Sequence, residues 1–127
     1  MTGPVRRCEL TGPGAAARAR AEVHRLADEA LLAGLPVSEV VEGDAALVAS
    51  ELVAHTDGDC ALELALTAGG MDIRVASSTW QAAPGGREHL AWWGLLRLLA
   101  RDMTVRTHTV AGVTTVRVQV ADAGPGC

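Results

Sequence analysis

The segment Asp44-Ala45-Ala46-Leu47-Val48-Ala49-Ser50-Glu51-Leu52-Val53-Ala54-His55 has the periodicity of a half-buried helix, and the rest of the chain can be ordered around it. Val41, Ala45, Val48 and Leu52 recur at helical spacing and predict an apolar stripe, while Asp44, Glu51 and His55 fall on the face beside it. The polar set is therefore expected at the margin of a core, where a helix can present chemistry to a cavity. Upstream, Ser38 offers an N-cap oxygen, and Glu39 and Glu42 suit the positive end of the helix. Downstream, Asp57-Gly58-Asp59 ends it as a turn.

Towards the N-terminus, Val5 to Leu10 reads as an extended start, followed by a turn at Thr11-Gly12-Pro13-Gly14. A first helix is predicted from Ala15 to Leu32, with Val23, Leu26, Ala30 and Leu31 turned inward and Gly34 and Pro36 closing it. Towards the C-terminus, Leu62, Leu64 and Leu66 alternate with polar or small residues, then Gly69-Gly70 marks a hairpin turn into Met71, Ile73 and Val75. Ser77 to Gly86 has no period and reads as a loop. Arg87 to Met103 reads as a third helix, with Trp92, Leu95, Leu96, Leu99 and Met103 on its apolar face and Gly94 unexpectedly inside it. A last hairpin runs from Val105 to Val110 and from Thr114 to Val120 around Ala111-Gly112, with Val116, Val118 and Val120 facing in.

Burying one face of each strand and one stripe of each helix predicts an α/β (α+β) two-layer sandwich. Its mixed, mainly antiparallel sheet is covered on one face by three helices. One domain over residues 1–122 is expected, with residues 123–127 a disordered tail. At 127 residues and 49% hydrophobic content, a single core suffices.

A formal net charge of −4 argues against nucleic-acid or anionic-membrane binding, which needs clustered cations. Cys8, Cys60 and Cys127 are odd in number and widely spaced, giving neither a zinc nor a disulfide framework. The longest apolar run, Leu90 to Leu96, is too short to span a bilayer, so a cytoplasmic protein is expected. The chain also lacks Lys, Phe, Tyr and Asn and has one Ile, a pattern that GC-rich coding would produce.

The order of elements, together with Leu47-Val48-Ala49-Ser50-Glu51-Leu52-Val53, resembles the histidine-kinase-like ATPase fold, in its branch of anti-sigma-factor serine kinases and related bacterial regulators. The likeness runs from about Ala15 to Val120, with further support from Met71-Asp72-Ile73-Arg74-Val75 and from Gly94-Leu95-Leu96-Arg97-Leu98-Leu99-Ala100. The resemblance implies a general base at Glu51, and four residues on, an Asn that would hold the magnesium ion bridging the nucleotide phosphates. That position is His55, whose imidazole is a poor ligand for a hard cation. It implies an adenine-reading Asp at the end of the second hairpin strand, where Ser77 stands and offers only an uncharged hydroxyl. It also implies a glycine-rich phosphate lid, matched by Gly85, Gly86 and Gly94, but Glu88 to Trp93 fills that stretch with bulk.

Three coincident departures point to a vestigial general base at Glu51, a degenerate nucleotide pocket and no bound cofactor or metal. The expected function is an anti-sigma-factor-like regulatory protein that is not an enzyme, acting on a sigma factor or an anti-sigma antagonist, with homodimer pairing open. The alternative is an active ATP-dependent serine kinase, with Mg²⁺ and ATP as cofactors and Asp44, Asp57 or Asp59 supplying the missing oxygen ligand. Glu51 and His55 could otherwise form a surface pair or part of a transition-metal site. Trp80, Trp92 and Trp93 suit either a core or a partner-facing patch. His24, His89 and His108 have no ligand spacing, and neither Ser50 nor Ser77 has a recognisable nucleophile pattern.

Overall fold

The structure is a computed structural model that describes residues 4–81 and 106–121. Its elements in chain order are β1 (Val5–Leu10), α1 (Ala15–Leu32), α2 (Glu39–Ala54), β2 (Cys60–Thr67), β3 (Gly70–Ser77), β4 (Arg106–Val110) and β5 (Val113–Ala121). The strands form one sheet in the order β1-β2-β3-β5-β4. Both described helices lie on one face of it: α1 packs over β1 and β2, and α2 over β3 and β5.

Local chemistry sets the helix ends. Gly34 adopts φ 79°, and the N–H groups of Gly34 and Leu35 donate to Leu31 and Ala30 carbonyls, a Schellman ending that only a glycine enters without strain. Pro36 then keeps the chain extended up to Ser38, whose Oγ accepts the Val41 N–H at 3.1 Å and starts α2. The His24 ring and the Glu42 carboxylate tie the two helices together.

All four strand pairings are antiparallel, which corrects the mixed sheet expected from sequence. The reason is the parity of the connections. β2–β3 and β4–β5 are hairpins, and two successive helices between β1 and β2 return the chain to the end it left, so β2 runs against β1. The three-helix layer is corrected as well: two helices, not three, cover the sheet among the described residues, and the predicted helix 87–103 lies outside them.

The core joins the helix stripes to the inner sheet face. Leu26, Leu52, Leu62, Leu64, Met71 and Ile73 are fully buried, each contributing on the order of 1.5–3 kcal/mol. Val41, Ala45, Val48 and Leu52 form the predicted stripe of α2, and Val116, Val118 and Val120 face inward as expected. Leu31 does not: it is 65% exposed, because α1 turns its Val23, Leu26 and Ala30 face to the sheet and Leu31 falls off its edge. The first hairpin turn is also displaced by one residue. Thr67 already pairs with Gly70, so the turn is Ala68-Gly69, with Gly69 at φ 76°.

On the outer sheet face, Asp72 is buried although neither described helix covers that side. Arg117 Nε donates to both its carboxylate oxygens at 2.9 and 3.0 Å, and Arg74 lies 3.6 Å away. The carboxylate thus sits between two guanidiniums that the register places directly opposite each other, and this hydrogen bond holds the Arg117 guanidinium even more firmly charged than usual.

Candidate functional site

Glu51, His55 and Ser77 converge at one end of the domain, where the C-terminal turn of α2 meets the end of β3. Glu51 is half-buried on the last turn of α2, and its carboxylate makes no hydrogen bond or ion pair with the described residues. His55 is the C-cap of that helix, with its Nδ1 2.8 Å from the Glu51 carbonyl oxygen, not from the carboxylate. The imidazole therefore shares, in the last turn of the helix, a carbonyl that also accepts the His55 backbone N–H at 3.3 Å. Asp44, on the same face, is half-buried as predicted.

Ser77 is 3% exposed. Its hydroxyl donates to the Asp59 carbonyl at 2.7 Å and accepts the Thr79 N–H at 3.0 Å, with the Thr79 hydroxyl 2.9 Å away. A serine hydroxyl has one proton and two lone pairs, so the local backbone already uses the groups that would read a base. Ser50 is likewise turned inward, donating to the Leu47 carbonyl.

Around these residues, the stretch after β3 is sewn to the stretch after α2. Asp57 N–H donates to Thr79 O at 3.0 Å, Gln81 N–H donates to His55 O at 2.8 Å, and Thr56 and Trp80 form an antiparallel bridge. Thr56 is buried, donating to the Val53 carbonyl at 2.7 Å and accepting the Gly58 N–H at 3.0 Å. Trp80 packs against the core and its indole N–H donates to the Thr114 carbonyl at 2.9 Å, which fixes it as a strut between β5 and the loop. Thr56, Asp59 and Thr79 build this seam, where the sequence suggested only a turn or an oxygen ligand for Asp59 and no role for Thr56 or Thr79. The hydroxyl-rich run Ser77-Ser78-Thr79 carried a signal for part of it, since such side chains bond nearby backbone at strand ends.

Gly85, Gly86, Gly94, Trp92, Trp93 and His89 lie outside the described residues. Among the described residues, no group of three His, Cys, Asp or Glu side chains is arranged to hold a metal ion. Asp57 and Asp59 are exposed turn residues. A separate shallow groove of about 460 Å³ lies on the outer sheet face, between Arg7, Glu9, Ala61, Glu63, Arg74, Ala76 and Thr115. No described helix is long and apolar enough to cross a membrane.

Compared with known proteins, the chain matches no family model and no curated protein.

Proposed function

We propose that this protein is a regulatory, protein-binding domain of the histidine-kinase-like ATPase type, related to the anti-sigma serine kinases, whose nucleotide site no longer serves Mg-ATP. Its partner on this reading is a sigma factor or an anti-sigma antagonist. The observation that carries it is the commitment of Ser77: the hydroxyl at the adenine position is buried and spent on Asp59 and Thr79. His55 at the magnesium position supports the same conclusion, because it offers nitrogen to a cation that prefers oxygen and turns one of its nitrogens to the helix backbone. The described residues thus do not fit Mg-ATP.

The topology supports the resemblance. β3 and β4 run in the same direction through β5, so the chain between them has to return from one end of the sheet to the other. A helix over 87–103, as expected from the sequence, would suit that return. One observation favours the kinase alternative, namely that the Glu51 carboxylate has no partner among the described residues and so is uncommitted, as a general base must be.

Calorimetric titration with ATP, with and without Mg²⁺, tests the proposal. We expect no magnesium-dependent heat and no rise in melting temperature. Magnesium-dependent binding with a matching thermal shift would overturn it in favour of the kinase.

A further inference from the structure

Between Arg25 and Arg74 the chain carries ten Asp and Glu residues and no Lys or Arg. The structure shows where this imbalance falls. Glu29, Glu42, Glu63 and Asp72 are paired with Arg6, His24, Arg7 and Arg117. The other six have no ion-pair partner among the described residues: Asp28, Glu39, Asp44 and Glu51 belong to the helical hairpin, and Asp57 and Asp59 to the turn that follows it.

The same hairpin exposes apolar side chains. Val40 is 67% exposed and Leu47 44%, and with exposed Gly43 and Ala54 they form one stripe along the outward side of α2. Leu31 and Leu32 end α1 and Leu35 lies in the connection, so among the described residues five of the eight large exposed hydrophobic ones belong to this hairpin. A helix that is apolar on its outward as well as its inward side is normally covered. Gly43 leaves a notch between Val40 and Leu47, since a Cβ there would meet nothing within 4 Å. Asp44 and Glu51 run along one flank of the stripe, and Glu39 stands at its start.

We propose that the outward face of α2, extended by Leu31 and Leu32, docks a cationic amphipathic helix of a protein partner. The partner's apolar positions would meet Val40 and Leu47, and its Arg or Lys flanks would meet Glu39, Asp44 and Glu51. Helix-on-helix docking of this kind reads apolar anchors at i, i+3 or i+4, and i+7, which is the spacing of the stripe. Its charge pattern selects against acidic partners, because like charges at the rim repel. The inference rests on the reading that the chain works by binding a protein, and it adds the chemistry of that partner.

The probe is a synthetic helical peptide with leucines at i, i+3 and i+7 and lysine flanks, compared with the same peptide carrying glutamates and with a scramble of identical composition. Binding to the full chain is followed by fluorescence anisotropy at rising ionic strength. We expect the cationic peptide to bind, the acidic one not to bind, and the scramble to bind about tenfold more weakly, with salt reducing affinity. Leu47→Asp should weaken binding about tenfold or more, while Val113→Asp at the start of β5 should leave it unchanged. Circular dichroism melts verify folding, and amide exchange on the wild-type chain should show protection over residues 39–54. Equal binding of peptide and scramble, an unchanged Leu47→Asp variant, or protection elsewhere would overturn the proposal. So would a wild-type dimer that Leu47→Asp turns into a monomer, since the occupant would then be a second copy. ATP binding is measured separately: nucleotide binding with intact peptide docking would sink only the degenerate-site reading.

Discussion

Gly70 opens β3 where β5 passes close beside it. A Cβ built on it would lie 2.9 Å from the Ala121 Cα and run into the Val120 carbonyl oxygen, both backbone atoms that cannot swing aside. Gly70→Ala should therefore cost roughly 2 kcal/mol or more, read as a lowered urea midpoint. Ser77→Ala tests the seam near the site. It leaves the Thr79 N–H without its acceptor and the Asp59 carbonyl with only the longer contact from the Thr79 hydroxyl, and a loss of about 1 kcal/mol is expected in the same measurement. Neither residue's role was readable beforehand. The glycine pair at 69–70 signalled a turn, but only the register shows that Gly70 stands against the β5 backbone at Ala121. Ser77 was placed at the right strand end, yet its acceptor, the Asp59 carbonyl, comes from a turn 18 residues earlier.

The thiols of Cys8 and Cys60 add a pH signature. Burial pushes both above their ordinary value, the charged form being disfavoured away from water. Above the ordinary thiol value of 9.0 the unfolded chain loses these protons before the folded one does. Stability is therefore fully present below that value and falls as pH rises through the raised one. In a Cys127→Ser background, thiol labelling at neutral pH should be slow and should accelerate on adding denaturant; fast labelling of the native chain would contradict the burial.

At the scale of elements, the second hairpin holds a correctable strain. Ala111 sits at φ 53° and Gly112 at φ 79°, the pair of left-handed residues that a tight two-residue hairpin turn needs. Alanine pays a steric penalty there, so Ala111→Gly or Ala111→Asn should stabilise the protein by about 0.5–1 kcal/mol, seen as a higher melting temperature. On the opposite edge, Arg6 reaches from β1 to Glu22 and Glu29 of α1, with 2.6 Å to Glu22, and fastens the helix over the edge strand. The helices and hairpins were legible because their signals are local: Ser38 before Glu39, Gly34 before Pro36, leucines alternating from Leu62 to Leu66. Leu31 misled because apolar spacing identifies a stripe without saying how wide a stripe the sheet can bury. The third helix, 87–103, is outside the described residues, and so are the lid glycines.

For the whole molecule, the decisive comparison is between one substitution and several. If the pocket had lost magnesium binding through His55 alone, His55→Asn would restore it. We expect no ATP binding in that variant by calorimetry, because Ser77 stays committed to Asp59 and Thr79. Recovery would mean that the departures at the base and phosphate positions are tolerated. The architecture was largely visible in the order of periodic segments. The strand order was not, since nothing local in β3 or β5 announces that they pair across more than thirty intervening residues.

That pairing also bears on how the chain is made. β2 and β3 lie next to each other in sequence, as do β4 and β5, so either hairpin can close as soon as it leaves the ribosome. The centre of the sheet joins β3 to the last strand, and until Val113 to Ala121 has been synthesised β3 exposes a bare edge with Met71, Ile73 and Val75 behind it. A nascent chain stalled just short of β5 is then a sticky intermediate that needs shelter, and the pairing of β5 with β3 covers that edge.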